Sequence, residues 1–164
     1  MPSKSKTKGN GFERDCCKYL NELTGLNFTR VPNSGAFLGG KNQVRVEHLT
    51  EDQTLIFDGD IITPPEFKDW SIECKFYKDI AWKKLFQPED AAQMNDWIEQ
   101  AKVTSKPYWF LLFKINNAGA YCVIDRKVVK TFNFELTESH LIYRKDYVVM
   151  DMKEFFEKNI GRIM

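Results

Sequence analysis

Asp60 in Gly59-Asp60-Ile61-Ile62 is followed thirteen residues later by Glu73, and then by Lys75, in Ile72-Glu73-Cys74-Lys75. On a strand, side chains alternate between faces, so Glu73 and Lys75 share one face while Ile72 and Cys74 share the other. One face of that segment is apolar, and the other carries a carboxylate beside an ammonium. If Asp60 ends a neighbouring strand, two carboxylates and a lysine converge. Hard oxygen ligands beside a cation are what metal-assisted phosphodiester hydrolysis requires, with magnesium as the fitting ion.

The elements that must position these groups follow from the pattern along the chain. Phe12, Cys16, Tyr19, Leu20 and Leu23 recur at helical spacing, and Gly25 supplies a stop. Leu26 to Val31 reads as a first strand, broken by Pro32-Asn33-Ser34-Gly35, and Gly39-Gly40 marks a flexible excursion. Leu55 to Ile62 and Ser71 to Tyr77 read as the next two strands, with Pro64-Pro65 in the turn between them. Pro88-Glu89-Asp90 opens a second helix, whose buried stripe is Ala91, Met94, Trp97, Ile98 and Ala101. Tyr108 to Ile115 is a nearly continuous apolar run, as expected of a central strand covered on both faces. Asn116 to Gly119 turns it into Tyr121 to Ile124. Shorter strand-like segments follow, and then a final helix with Asp151 and Glu154 spaced as a capping box. The order predicts one α/β domain with a central mixed sheet flanked by helices.

A chain of 164 residues, 43% hydrophobic and 29% charged, suits a single globular domain with a substantial core. No apolar run reaches the length of a membrane span, and the N-terminus lacks the apolar core of a signal peptide. The four cysteines, Cys16, Cys17, Cys74 and Cys122, form no C-x-x-C pair and read as free thiols of a reducing cytoplasm. Two scattered histidines, His48 and His140, do not make a histidine-rich metal site. Trp70, Trp82, Trp97 and Trp109 read as core or dimer contacts rather than base-stacking platforms.

The net charge of +1 hides an asymmetry. Residues 1–50 hold eight Lys/Arg against four Asp/Glu, residues 51–100 five against twelve, and residues 101–164 eleven against seven. An acidic middle between basic ends suits a carboxylate-rich metal site on a surface that meets phosphates. Residues 1–8 read as a flexible basic arm ahead of a domain spanning 9–164. Lys8, Arg14, Arg30 and Lys41 are the candidate phosphate contacts, because positive charge supplies most non-specific DNA affinity. Ser34, in the loop after the first strand, has a hydroxyl able to bind a phosphate or support a ligand. Glu13 has two competing readings. One makes it the reciprocal member of a capping box that begins at Asn10; the other is catalytic.

The segments Lys8-Gly9, Phe12-Glu13-Arg14, Thr29-Arg30-Val31-Pro32-Asn33-Ser34-Gly35, Asp60-Ile61 and Ile72-Glu73-Cys74-Lys75 occur in that order. Together they closely resemble the archaeal-type Holliday-junction resolvases, members of the PD-(D/E)xK nuclease superfamily. The resemblance covers residues 8 to 124 and is compatible with a viral source. It departs at Gly59, where the superfamily usually has proline, and at the Pro64 to Asp69 connection. Residues from about 125 onward form a C-terminal extension that the resemblance does not account for.

The resemblance implies a restriction-endonuclease-like fold with Glu13, Asp60 and Glu73 as metal ligands. Lys75 would position or activate the attacking water, and Ser34 and Gln93 would complete the catalytic set. The implied cofactor is Mg2+, with Mn2+ able to substitute. The implied substrate is branched DNA, a four-way junction, cut by paired nicks from a homodimer. The implied location is the cytoplasm: at the nucleoid through DNA, or the host cytoplasm for a viral protein. Two alternatives stay open: another PD-(D/E)xK endonuclease acting on duplex or damaged DNA, and a structural paralogue without catalysis.

Overall fold

The computed structural model describes residues 4–32, 58–79 and 91–164, with side chains from residue 9 onward. Ser34, Lys41, His48, Trp82, the Gly39-Gly40 excursion and the Pro88-Glu89-Asp90 opening lie outside the described residues. Helix α1 spans Lys4–Thr24, so it takes in Lys4 to Lys8 of the expected basic arm. It ends as expected at Gly25, whose φ of 71° is the left-handed conformation that glycine accepts without a Cβ penalty.

The expected first strand is shorter than its apolar run, and the second is short within its described part, residues 55–57 lying outside the described residues. Strand β1 is only Thr29–Arg30, and β2 only Ile61–Ile62. Upstream of β1, the Asn21 side chain takes both polar groups of Phe28: the Phe28 N–H donates to its Oδ1, and its Nδ2 donates to the Phe28 carbonyl. With those backbone groups bonded to a helix side chain, no ladder forms there. The two short strands pair antiparallel, Thr29 with Ile62 and Arg30 with Ile61. The expected Pro64-Pro65 turn is a 3-10 turn over Pro65–Phe67.

Strand β3 spans Trp70–Tyr77, β4 Tyr108–Ile115 and β5 Gly119–Asp125. After helix α3 (Arg126–Thr131) come β6 (His140–Tyr143) and β7 (Tyr147–Asp151). These form a five-stranded mixed sheet in the order β3-β4-β5-β7-β6. β3 and β4 run parallel, with Glu73 beside Leu111 and Lys75 beside Phe113, and the other pairs are antiparallel. The chain after residue 125 thus completes the same sheet. It ends in helix α4, Met152–Ile163, whose Phe155 and Phe156 are fully buried.

Helices cover both faces. On one, Phe12, Cys16 and Leu20 of α1 and Phe155 and Phe156 of α4 pack over Ile72, Cys74, Phe110 and Leu112. On the other, Met94, Trp97, Ile98 and Ala101 of helix α2 (Ala92–Lys102) pack over Leu111, Phe113, Val123 and Val149. β4 is therefore buried on both faces, as its unbroken apolar sequence predicted. The architecture is a single α/β sandwich of the restriction-endonuclease type. The described helix α2 begins at Ala92, with Ala91 at its N-cap position.

Trp70 and Trp97 are core residues, Trp70 stacking on Phe110 with ring centroids 4.3 Å apart and Trp97 lying 5.8 Å from Phe113. All four cysteines are free and buried. At the start of α4, the Glu154 N–H donates to the Asp151 carboxylate as the capping box predicts, but the Glu154 carboxylate accepts from Glu138 N instead of reaching back. That acid ties the loop before β6 to the helix. No described helix is long and apolar enough to cross a membrane.

The centre of this packing is Trp70, which also lies within ring-contact distance of Tyr108, Phe132 and Phe134. Trp70→Ala removes a large buried ring and leaves a cavity, so urea unfolding should show a loss of about 3–5 kcal/mol. A loss under about 1 kcal/mol would mean that this aromatic cluster is not central to stability.

Candidate active site

Asp60 is set by a bend with little freedom. The preceding Gly59 has φ 86°, and a Cβ built on it would sit 2.7 Å from the Ile72 carbonyl oxygen and 2.8 Å from Ser71 Oγ. Proline, whose ring fixes φ near −65°, is excluded from that conformation. The departure at position 59 is thus structural: here the chain reaches Asp60 by a left-handed glycine pressed against β3. Asp60 N then donates to Ile72 O at 2.8 Å, and Val31 N donates to Asp60 O at 2.9 Å.

Its side chain is as constrained as its backbone. Cys74 N donates to Asp60 Oδ2 at 2.8 Å, and the residue is 8% exposed. In this way Asp60 fills the free edge of β3 between Ile72 and Cys74, as a neighbouring strand would. Among the described residues, no hydrogen bond reaches Oδ1.

On β3, Glu73 and Lys75 lie on the face opposite Ile72 and Cys74, as the alternation predicts. Ile72 and Cys74 are in the core, while Glu73 and Lys75 are half-buried. Lys75 Nζ donates to Glu73 Oε1 at 2.5 Å. Burial pushes the Glu73 carboxyl above its ordinary range, and the Asp60 charge pushes further; Lys75 opposes both, and Glu13 adds a smaller upward push. The buried carboxylates repel one another, and one ammonium offsets this only in part.

Glu13 comes from α1 and is 7% exposed. The helix begins at Lys4, so Asn10 is an interior residue and the capping-box reading of Asn10 and Glu13 does not hold. Glu13 is instead ion-paired with Arg30 through Oε2, and Arg30 also donates to Asn10 Oδ1 at 2.8 Å. Burial raises the Glu13 carboxyl, the Arg30 hydrogen bond lowers it, and the nearby Asp60 charge raises it again. Arg30, expected as a phosphate contact, is engaged by two α1 side chains in this structure. Arg14 lies exposed on the same helix.

The described residues thus bring Glu13, Asp60, Glu73 and Lys75 into one electrostatic neighbourhood. Gln93 is half-buried on α2, the helix that covers the Glu73 and Lys75 face of the sheet. Among the described residues, no group of three His, Cys, Asp or Glu stands close enough to hold a metal. The expected three-carboxylate ligand set is therefore not assembled here: Arg30 and Asn10 hold the Glu13 end of it. Asp60 and Glu73 remain, and a pair of carboxylates is the protein share that magnesium ordinarily takes, with waters filling the other positions. Their oxygen chemistry and mutual repulsion both fit a divalent cation.

The sequence matches the family described as "Phage putative PDDEXK endonuclease" over residues 4–163. The chain belongs to this phage endonuclease family. The match runs through β6, β7 and α4, so the C-terminal part belongs to the family domain. No curated protein and no solved structure matches the chain. PD-(D/E)xK nucleases generally use divalent metal ions, and Asp60, Glu73 and Lys75 stand in a D…E-x-K pattern within the matched residues.

Three features of the site were not read from the sequence. One is the Arg30–Glu13–Asn10 clamp, which needs β1 folded against α1 to exist. Another is the requirement for glycine at position 59. The last is Asp58, buried at 7% exposure beside the bend; the Asp58-Gly59 dipeptide is a turn signal that could have drawn attention to it.

The raised Glu73 carboxyl has a consequence for stability. A group whose folded pKa exceeds its unfolded value of about 4.5 stabilises the fold at lower pH, and that contribution is lost as pH rises through the folded pKa. Glu73→Gln should therefore gain in melting temperature relative to wild type on going from about pH 4.5 to about pH 8, in metal-free buffer. A constant difference across that range would show that Glu73 carries no unfavourable charge in the fold.

Proposed function

We propose that this protein is a magnesium-dependent endodeoxyribonuclease, and that its substrate is a four-way DNA junction cut by paired nicks from a homodimer. The observation that carries the nuclease reading is the orientation of the Asp60 carboxylate by Cys74 N beside the Glu73–Lys75 pair. Asp60 and Glu73 would hold the metal ion, which when bound polarises a phosphate oxygen and favours ionisation of a water. Mn2+ offers the same hard, octahedral preference and is expected to substitute.

The chain's own residues divide the remaining work. The Cys74 amide keeps one Asp60 oxygen turned inward, leaving the other for the site. Glu73 holds the Lys75 ammonium against the same face, where it can orient a water or neutralise charge developing on the phosphate. Glu13 sits behind them from α1. Freed from Arg30, it would add a further carboxylate, and the guanidinium would become available to a phosphate oxygen. Ser34, Lys8, Arg14, Lys41 and Gln93 are proposed around this centre as phosphate or water contacts.

Junction selectivity is supported by the resemblance of the Arg30-Val31-Pro32-Asn33-Ser34-Gly35 segment and the first helix to junction resolvases. Two nicks in opposed strands require two sites related by symmetry, hence a C2 dimer. A second reading, a PD-(D/E)xK endonuclease acting on linear duplex, is favoured by the family match, whose description carries no junction specificity. A chain that meets DNA in this way would work in the cytoplasm of the phage host.

Asp60→Asn should lower magnesium-dependent nicking by at least about a hundredfold, since it removes a charged ligand worth several kcal/mol in the transition state. DNA binding should persist. Near-wild-type nicking by that variant would overturn the assignment of Asp60. Substrate choice is read separately, as the ratio of synthetic four-way junction to matched linear duplex binding at one salt concentration. Paired nicks on opposed strands of the junction are expected. Equal binding, with cuts along linear duplex, would retain the nuclease and remove the resolvase.

A further inference from the structure

Among the described residues, Asp58 is the one buried carboxylate near the site that the proposed chemistry leaves without a task. It lies two residues before Asp60, and its Oδ2 accepts three hydrogen bonds: from Thr104 Oγ1 at 2.8 Å, Ser105 N at 2.8 Å and Ser105 Oγ at 2.7 Å. All three donors belong to the short connection between α2 and β4. The next residue of that connection, Lys106, reaches the far side of Asp60: its Nζ donates to Thr63 Oγ1 at 2.9 Å and to Trp70 O at 3.0 Å. One loop therefore grips the Asp60 segment on both sides, at Asp58 and at Thr63.

Between those grips the chain has little room. Gly59 is held against β3 by its close approach to Ile72 and Ser71, and Asp60 is bonded to Ile72, Val31 and Cys74. We propose that Asp58 is a positioning residue: its triply bonded carboxylate, locked to Thr104 and Ser105, fixes where the incoming chain delivers Asp60 to the edge of β3. The proposal gives Asp58 no ligand role: the three protein donors on Oδ2 tie its carboxylate to the loop. The proposal rests on the reading above that Asp60 is a metal ligand.

Its test is the affinity of the DNA-free protein for Mn2+, measured by titration calorimetry alongside the melting temperature. Outer hydrogen-bond partners of metal ligands are typically worth 10–100-fold in metal affinity, so Asp58→Ala should weaken Mn2+ binding by about tenfold or more. Asp58→Asn retains an oxygen able to accept all three donors and should stay within about threefold of wild type, an outcome that a direct ligand would not give. Thr104→Val and Ser105→Ala each remove one donor and should each weaken binding by about threefold; they carry the test if Asp58→Ala does not fold. Asn159→Ala is the control. Asn159 is buried in α4 and bonded to Glu135 and Phe155, so its loss should lower the melting temperature without changing Mn2+ affinity.

Wild-type Mn2+ affinity in Asp58→Ala, or in both loop variants where that one does not fold, overturns the proposal. So does an Asp58→Asn protein as weak as Asp58→Ala, or an Asn159→Ala protein that loses affinity to the same degree. A wild-type protein that binds no Mn2+ and cuts no DNA fails at the nuclease reading itself. Intact Mn2+ binding with an indifferent Asp58 fails only here.

Discussion

The hydrogen bond from Cys74 N to the Asp60 carboxylate is the constraint on which the site depends. β3 is an end strand of the five-stranded sheet, and its outward amides and carbonyls need partners. Asp60 supplies two of them, a backbone N–H for Ile72 O and a carboxylate for Cys74 N. The same contact that closes the sheet edge holds the Asp60 carboxylate where its charge acts on both Glu73 and Glu13. Edge protection and the proposed catalytic geometry are one arrangement, so a change that loosened Asp60 would expose strand backbone as well as displace the proposed metal ligand.

That arrangement accumulates negative charge under poor solvation. Asp60 and Glu13 are buried, and burial and mutual repulsion raise the carboxyls of Glu13 and Glu73. Two cations offset this in different ways. Lys75 is two residues from Glu73 on the same strand face, so its position follows from the pleat. Arg30 depends on tertiary structure: β1 must be held by Asn21 of α1 and by pairing with β2 before its guanidinium meets Glu13. Glu73 is thus countered locally, whereas Glu13 is countered by an arginine from a different element. A divalent cation and a phosphate arriving together would compete for opposite halves of that Arg30–Glu13 pair.

The parts legible in the sequence were those fixed by period and spacing. The helical recurrence of Phe12, Cys16 and Leu20, the unbroken Tyr108 to Ile115 run and the alternation through Glu73 and Lys75 each report one element's own burial. The first strand is shorter than its apolar run because side-chain hydrogen bonds end it, and among the described residues of the second run only Ile61–Ile62 are strand. Asn21 captures Phe28, and the Gly59 bend turns the chain before β2. Apolar content does not encode either. The Glu13 capping reading failed for a similar reason. Asn10-Gly11-Phe12-Glu13 has the residue types of an N-terminus, but the helix extends upstream past a glycine whose cost is about 1 kcal/mol or less.

Gly59 shows how a departure from a family's usual residue can be compensated rather than degenerate. A proline would pre-set the turn before the aspartate by restricting φ. A left-handed glycine leaves the unfolded chain freer, so more entropy must be lost to place Asp60. The fold counters this with contacts that a rigid turn would make unnecessary: the Thr104-Ser105-Lys106 loop on both flanks, and close approach to β3 at the centre. Precision at Asp60 has moved from a local backbone preference to a tertiary clamp. The clamp also reaches α2, which ends at Lys102 and begins the loop. Gln93 sits at the other end of that helix, over the Glu73 and Lys75 face. Through a single helix, the loop that grips the Asp60 segment and the Gln93 position are held in one frame.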